Sequence, residues 1–196
     1  RAAPGYGAGF NDFNTFYYQA ASATSGGSSG SPVVDVEGHV VAINAGGSGR
    51  TASSYYLPLP RVVRAVELLK AGKPVPRGTL QTRVELEPYD EVARKGVSRE
   101  VLDEARRRFP AGTGLLVVMD VLPLGPAFQK LSVGDVVLSV NDVPVHDHVT
   151  LEGTLDASVG KPITLSVARR GEVLTVQVTP EDLHAITPHA FLEVGD

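Results

Sequence analysis

The run Ser25-Gly26-Gly27-Ser28-Ser29-Gly30-Ser31-Pro32 limits the fold of this chain more than any other stretch, because of what flanks it. On composition alone a Gly/Ser run is a flexible linker. Here Phe16-Tyr17-Tyr18-Gln19-Ala20-Ala21-Ser22 precedes it and Val33-Val34-Asp35-Val36 follows, and both flanks read as strands. The run must therefore carry the chain from one strand to the next in a tight loop. Gly27 permits a sharp turn without a Cβ clash, Gly30 leaves room for another backbone to approach, and Pro32 sets the exit into the next strand. A serine becomes an effective nucleophile only when a base takes its proton and nearby donors hold the oxyanion formed on the attacked carbonyl. Ser29, two residues after Gly27, is the candidate for that role. A G-x-S-x-G elbow with Ser28 as nucleophile also fits Gly26 to Gly30, but it requires a helix next, and Pro32 with the valines gives a strand.

At these residues the chain resembles the trypsin-like serine proteases, in particular the Deg/HtrA type that carries PDZ domains. In that family a Gly-Asn-Ser-Gly-Gly-Pro loop holds the nucleophile, and Gly27-Ser28-Ser29-Gly30-Ser31-Pro32 occupies its place. Asn11-Asp12-Phe13-Asn14-Thr15-Phe16 and Leu183-His184-Ala185-Ile186-Thr187-Pro188 are most similar to the large fungal and plant branch, whose members repeat the protease-plus-PDZ plan. The resemblance implies that Ser29 is the catalytic nucleophile and that the backbone N–H groups of Gly27 and Ser29 form the oxyanion hole. It also implies that backbone at Ile43, Asn44, Ala45 and Gly46 pairs with substrate. Ala23 would floor the specificity pocket, and an uncharged residue there points to small or medium apolar side chains at the cleavage site. Ser28 stands where zymogen-activated relatives have Asp, which speaks against activation by a new N-terminus. No cofactor and no metal is implied.

The 196 residues suffice for one large or two small domains with real cores. An apolar content of 42% and a charged content of 20% suit a soluble globular chain. A formal net charge of −4 argues against a nucleic-acid surface, which needs clustered Lys and Arg. The one basic cluster, Arg106-Arg107-Arg108, ends a predicted helix, where cations favour the dipole. The absence of cysteine excludes disulfides and thiolate metal sites and fits a reducing compartment. No apolar run reaches spanning length and no signal-peptide pattern opens the chain. The first residue is Arg1 and no His precedes Ser29, so the expectation is a fragment of a longer protein.

The expected fold is mainly β with α: the C-terminal part of a trypsin-like β-barrel over residues 1–72, a linker at 73–77, a PDZ domain at 78–182, and a linker to a following domain at 183–196. In the first part, residues 16–21 read as a strand, and residues 33–36 and 39–44 as a hairpin turning at Gly38. Residues 45–49 read as a loop and 53–57 as a further strand. A helix then opens with Pro60 at its first position, repeats Val62, Val63, Val66 and Leu69 on one face and stops at Gly72. Lys73-Pro74-Val75-Pro76-Arg77-Gly78 is a stiff Pro-rich linker.

In the second part, residues 79–85 read as a strand and 88–95 as a short helix. Ser98 caps a further helix carrying Val101, Leu102, Ala105 and Phe109. Residues 114–121 form a buried strand, Gly125-Pro126-Ala127 starts one helical turn, and residues 133–145 read strand, turn, strand. Thr150 caps a helix with Leu151 and Leu155 one turn apart, and residues 163–168 and 172–178 pair across Arg169-Arg170-Gly171. This order, with Gly134-Asp135 and Gly125-Pro126-Ala127, resembles the PDZ domain of the Deg/HtrA proteases. The resemblance implies a peptide-binding groove between a loop at Gly78-Thr79-Leu80-Gln81 and the helix over 150–157, lined by Leu80, Leu151 and Leu155. The chain departs from the family at Gln81, where glycine is usual, which leaves the capture of a C-terminus open.

A trypsin-like triad needs His and Asp from residues before the serine. His39, His146, His148, His184 and His189 all follow Ser29. His39 reads as a solvent-facing hairpin residue, and the polarity of a loop accounts for His146 and His148 beside Asp142 and Asp147 better than a metal does. The expected function is part of a serine endopeptidase joined to a regulatory PDZ domain, inactive alone, working in protein quality control or apoptosis on polypeptide substrates. Peptide segments would occupy the groove, and a homo-oligomer is left open. The alternative is a scaffold or chaperone-like protein whose protease remnant is inert; the presence of both Gly27 and Ser29 favours the active half. The family resemblance implies a nuclear or cytoplasmic location, or a plastid one.

Overall fold

The computed structural model describes residues 15–22, 25–48 and 53–186, which fall into two units, Arg1–Val75 and Pro76–Asp196. The readings at Ala23, at His189, at residues 11–14 and at Thr187-Pro188 lie outside the described residues.

Four antiparallel strands make the sheet of the first unit. They are β1 (Tyr18–Ala20), β2 (Pro32–Val34), β3 (Val40–Ser48) and β4 (Ser53–Pro58), in the order β1-β4-β3-β2. The turn between β2 and β3 is built by Asp35, whose Oδ1 accepts the N–H groups of Glu37 and His39 at 2.9 Å each, while Gly38 takes φ +86°. Within the stretch expected as a loop over 45–49, residues 45–48 instead continue β3, and Gly49 lies outside the described residues. Gly46 pairs with Tyr55 and Gly47 with Ser54, and a register shift between Asn44 and Gly46 absorbs one extra residue. The small residues that read as a loop are tolerated because β4 supplies the ladder and Gly46, at φ +145°, supplies the bulge. Helix α1 (Leu59–Lys70) has Pro60 at its second position, not its first, and ends where Gly72 turns at φ +64°. Its predicted apolar face is not buried: Val63, Val66 and Leu69 are all exposed.

The second unit is built on a sheet ordered β11-β10-β8-β7-β6. Its members are β6 (Thr82–Pro88), β7 (Gly114–Val121), β8 (Val136–Val140), β10 (Ile163–Arg169) and β11 (Glu172–Val178), with β9 (Val143–Pro144) beside β8. The run Leu115-Leu116-Val117-Val118 is buried on both faces of β7, which is why it shows no alternation. Leu115 and Val117 pack with Val92 of α2 (Tyr89–Arg94) and Leu102 of α3 (Arg99–Arg108). Leu116 and Val118 pack with Leu151 and Leu155 of α4 (His148–Ala157). Burial of such side chains contributes about 1.5–3 kcal/mol each, so these two layers hold the unit together.

Three local expectations change. The strand expected over 79–85 is broken: β5 (Gly78–Thr79) pairs with β12 (Glu181–Asp182), and Gln81 turns at φ +54° before β6 begins. The N–H of Leu122 bonds the Gln81 carbonyl at 2.9 Å and holds that break. The cap of α4 is Asp147 and not Thr150; the Asp147 carboxylate accepts the Thr150 N–H at 2.8 Å. Beyond residue 182, α5 (Leu183–Ile186) follows β12, and the Leu183 N–H bonds the Arg77 carbonyl at 2.7 Å. At the start of the stretch expected as a linker, residues 183–186 thus form a short helix with no buried residue.

The Gly134-Asp135 pair closes a polar clasp. Asp135 is fully buried, and its carboxylate accepts Ser132 N–H at 2.8 Å together with Arg169 Nε and Nη2 at 2.7 Å each. Gly134 takes φ +92° to aim the chain into this clasp.

Candidate functional site

The serine loop is held from both ends. Gly30 N–H bonds the Asn44 carbonyl at 2.7 Å and Asn44 N–H bonds the Ser31 carbonyl at 2.9 Å, so the loop is stitched to β3. Gly27 and Gly30 take φ +92° and +85°, conformations that L side chains rarely adopt, and a Cβ at either would meet nothing within 4 Å. Glycine is needed there for backbone conformation, not for lack of space. The two serines differ sharply. Ser28 Oγ donates to the Ser25 carbonyl at 2.8 Å and its N–H to the same oxygen at 3.3 Å. Ser29 is exposed, and among the described residues neither its hydroxyl nor its N–H, nor the N–H of Gly27, has a partner. The loop leads into β2, not a helix, as the rejection of the elbow requires.

The residues expected to pair with substrate differ in the strand partners they already have. Ile43 is already paired with Pro32 on one side and Leu57 on the other, and Asn44 is bonded to the serine loop. Of the four positions, Ala45 and Gly46 lie beyond the end of the β2 ladder.

His39 sits in the hairpin turn with its Nδ1 3.4 Å from Asp35 Oδ2 and 3.8 Å from Glu37 Oε2. The sequence reading did not single out this set of three possible ligand atoms, all within 4.8 Å of one another on an exposed turn. His146, in the loop before α4, and His148, the first residue of α4, each make specific contacts. His146 stacks on Phe109 at 3.8 Å, and His148 is buried at the start of α4 with Nε2 3.2 Å from the Val84 carbonyl oxygen. Burial pushes the His148 pKa below its ordinary range, and the bond to the Val84 carbonyl partly opposes this.

The candidate groove lies where β6 ends the sheet. Val84 stands opposite Val118, whose N–H and C=O are bonded to Asp135 and Gly134 on its far side. Val84 therefore directs its carbonyl to the outer edge, where His148 meets it. Leu80, Leu151 and Leu155, expected to line the peptide groove, are buried in the same core cluster as Val84. The loop is clamped against α4. Gly78 N–H bonds Asp156 Oδ1 at 2.8 Å, and a Cβ at Gly78 would lie 2.2 Å from the Leu155 backbone. Arg77 reaches Asp156 at 3.2 Å and Glu152 at 3.3 Å, all three side chains being nearly inaccessible. Thr79 Oγ1 accepts the Gln81 N–H at 2.9 Å. The buried Arg77, Glu152 and Asp156 were missed in the sequence, where Arg77 reads as part of a linker.

Residues 91–179 match the family model of the PDZ domain. The chain is 48% identical over 195 residues to the pro-apoptotic serine protease NMA111 of Kluyveromyces lactis, covering 99% of this chain and 20% of that protein. It is 50% identical over 196 residues to NMA111 of Ajellomyces capsulatus, covering 100% and 19%, and 46% identical over 195 residues to NMA111 of Saccharomyces cerevisiae, covering 99% and 20%. The chain thus spans a fifth of the length of these relatives, 20% in the first. Among solved structures, HtrA-type protease AlgW with decapeptide is similar at a TM-score of 0.53 and 21% identity, over 85% of this chain and 49% of that one. AlgW with tripeptide is similar at 0.53 and 22%, over 89% and 55%. At such identities the likeness concerns the fold. With a match to the PDZ-domain model in its second unit and nearly half its positions identical from end to end to the NMA111 serine proteases, the chain is a homologue of a PDZ-containing stretch of those proteins.

Proposed function

We propose that this chain carries the nucleophile half of a serine endopeptidase active site, joined to a PDZ domain that docks polypeptide segments. The observation that carries the reading is Ser29: an exposed serine whose hydroxyl is unbonded among the described residues, between two positive-φ glycines, in a loop stitched to β3. A His and an Asp from elsewhere in the longer protein would complete the site, since none of the five His in this chain precedes Ser29. The His takes the Ser29 proton as Oγ attacks the scissile carbonyl carbon. The oxyanion that forms is held by the Gly27 and Ser29 N–H groups, which are unbonded among the described residues. The His then gives the proton to the departing amine, leaving an acyl group on Ser29 that water removes by the same two steps. Removing one oxyanion donor typically costs 10²- to 10³-fold in rate, about 2.7–4 kcal/mol, so the two N–H groups supply a large share of such catalysis.

Partner docking is assigned to the edge of β6 beside α4, where an added strand would continue the sheet. The test is digestion of reduced casein by the full-length protein, alongside the same protein with Ser29→Ala, and labelling of both by a fluorophosphonate. Cleavage and labelling that vanish together in the variant support the reading. Cleavage that survives Ser29→Ala overturns it, and absence of both from the folded parent leaves the scaffold alternative standing.

A further inference from the structure

We propose that the outer edge of β11 pairs with β11 of a second copy of this chain, antiparallel about Thr175, so that two sheets join into one. β11 ends the sheet of the second unit on the side opposite β6, and among the described residues it pairs only with β10. Which of its backbone groups face outward follows from the ladder. Both backbone groups of Thr164 are taken on the β8 side: its C=O accepts Asn141 N–H at 2.8 Å and its N–H donates to Asn141 Oδ1 at 2.9 Å. Thr164 stands opposite Gln177, so the bonded pairs of β10 and β11 are the alternate ones, Leu165 with Val176, Val167 with Leu174 and Arg169 with Glu172. The backbone groups of Val173, Thr175 and Gln177 therefore point away from β10, and no described residue bonds them.

An open edge of this kind invites a second sheet unless something spoils the match. The other strands that end a sheet carry such devices. β1 and β2 are three residues each, and β6 bears Arg83, Glu85 and Glu87 with a register shift between Arg83 and Val84. β11 runs for seven residues in unbroken register with β10 and holds no proline, lysine or arginine. Its one charge, Glu172, stands at the first position. The strand is also complementary to itself. With Thr175 on a two-fold axis, Thr175 meets Thr175, Val173 meets Gln177, Leu174 meets Val176 and Glu172 meets Val178, so no like charges stand opposite. The outward groups at 173, 175 and 177 then coincide in the two copies and exchange about six ladder bonds. Leu174 and Val176, half-buried against the core, fall on the closely spaced pairs between, where each covers the open side of the other. This agreement of pattern with symmetry selects a second copy over an unrelated strand. Seven residues cover less than the roughly 800 Å² per partner of a standard interface, so the association is weak, with a Kd of about 0.1–1 mM.

The test uses the whole 196-residue chain, which has no cysteine of its own. Sedimentation velocity between about 10 µM and 1 mM is expected to show a shift from monomer to dimer, and a chain that stays monomeric throughout overturns the inference. Introduced thiols then read the register. Two copies of Thr175→Cys face each across the axis with Cα atoms about 5.5 Å apart, within disulfide reach, whereas two copies of Val173→Cys lie about 14 Å apart. Under oxidised glutathione, Thr175→Cys is expected to cross-link at least about tenfold faster than Val173→Cys, and Val173→Cys mixed with Gln177→Cys is expected to cross-link as fast as Thr175→Cys. Equal rates for Thr175→Cys and Val173→Cys overturn the pairing. Thr175→Pro removes an outward N–H and leaves the β10 ladder whole, and Val173→Lys places a charge on the edge should the proline variant fail to fold. In either, with folding checked by its melting curve, dimerisation is expected to weaken by about fivefold or more. Undiminished association in a folded variant assigns the dimer to another surface and overturns the inference.

Discussion

Replacing Asp156 by alanine attacks the contact that holds the groove loop to α4. One carboxylate oxygen, Oδ1, accepts Gly78 N–H at 2.8 Å and Arg77 Nη1 at 3.2 Å, in a setting where Asp156 and Arg77 are each 6% exposed. With alanine the Gly78 N–H loses its acceptor where water does not reach, at about 1–3 kcal/mol. The Arg77 guanidinium keeps Glu152 at 3.3 Å but loses half of its charge balance, and breaking a buried pair costs about 3–5 kcal/mol. The two costs overlap, because each counts the same desolvated acceptor, so the expected loss is about 3–5 kcal/mol in all. That lowers the folding equilibrium by roughly a hundredfold or more. The conservative Asp156→Asn keeps a carbonyl for Gly78 and should lose clearly less. Urea unfolding of the second unit, read from amide exchange in β7 and β8, measures both. The reasoning is refuted if Asp156→Ala costs under about 1 kcal/mol while the Gly78 amide keeps its protection.

Three other perturbations bear on the same unit. Gly114→Ala places a Cβ 1.8 Å from the Glu87 carbonyl oxygen of β6, so the β6–β7 pair must part; a loss of about 3 kcal/mol in urea unfolding is expected, and a loss below about 1 kcal/mol would contradict the crowding. His148 has its folded pKa lowered by burial, so its contribution to stability is complete above the ordinary histidine value of about 6.5 and is lost as pH falls toward the lowered one. Stability measured between about pH 7.5 and 5 should therefore fall more steeply in the native chain than in His148→Gln, and parallel curves would refute the assignment. Leu124 is 92% exposed and held at φ +66°, so Leu124→Gly should stabilise by about 0.5–1 kcal/mol in thermal melts; a destabilised variant would show that the strain is absent.

Much of the fold was legible because its signals are local. The buried run of β7 appears in the sequence as an unbroken apolar stretch with the bounds observed, Gly114–Val121. Ser98 caps α3 as its position before the helix implies, its Oγ accepting Val101 N–H at 3.4 Å. The Arg170-Gly171 turn takes φ +51° and +89°, as a two-residue hairpin needs. Misreadings arose where two acceptable local answers competed. Asp147 and Thr150 are both good caps, and only the direction of the chain after β9 decides between them. Ala45-Gly46-Gly47-Ser48 has the composition of a loop, and it becomes strand because β4 stands opposite it.

The candidate sites divide in the same way. Conformational demands of single residues were settled by the sequence alone at Gly27, read as a sharp turn, and at Pro32, read as the exit to β2, whereas Gly30, read as leaving room, takes its place through a positive φ. These depend on sterics within one or two peptide units, which every stretch of chain carries with it. The tertiary structure decided which polar groups would be withdrawn from water and paired. Arg77 finds Asp156 across 79 positions and Gln81 finds Glu181 across 100. No local pattern marks such pairs, because a buried charge is tolerable only when a distant partner arrives in the right geometry. The folded arrangement of β5, β12 and α4 brings those partners together, and it turns the end of a stretch that reads as a linker into a paired strand held to α4.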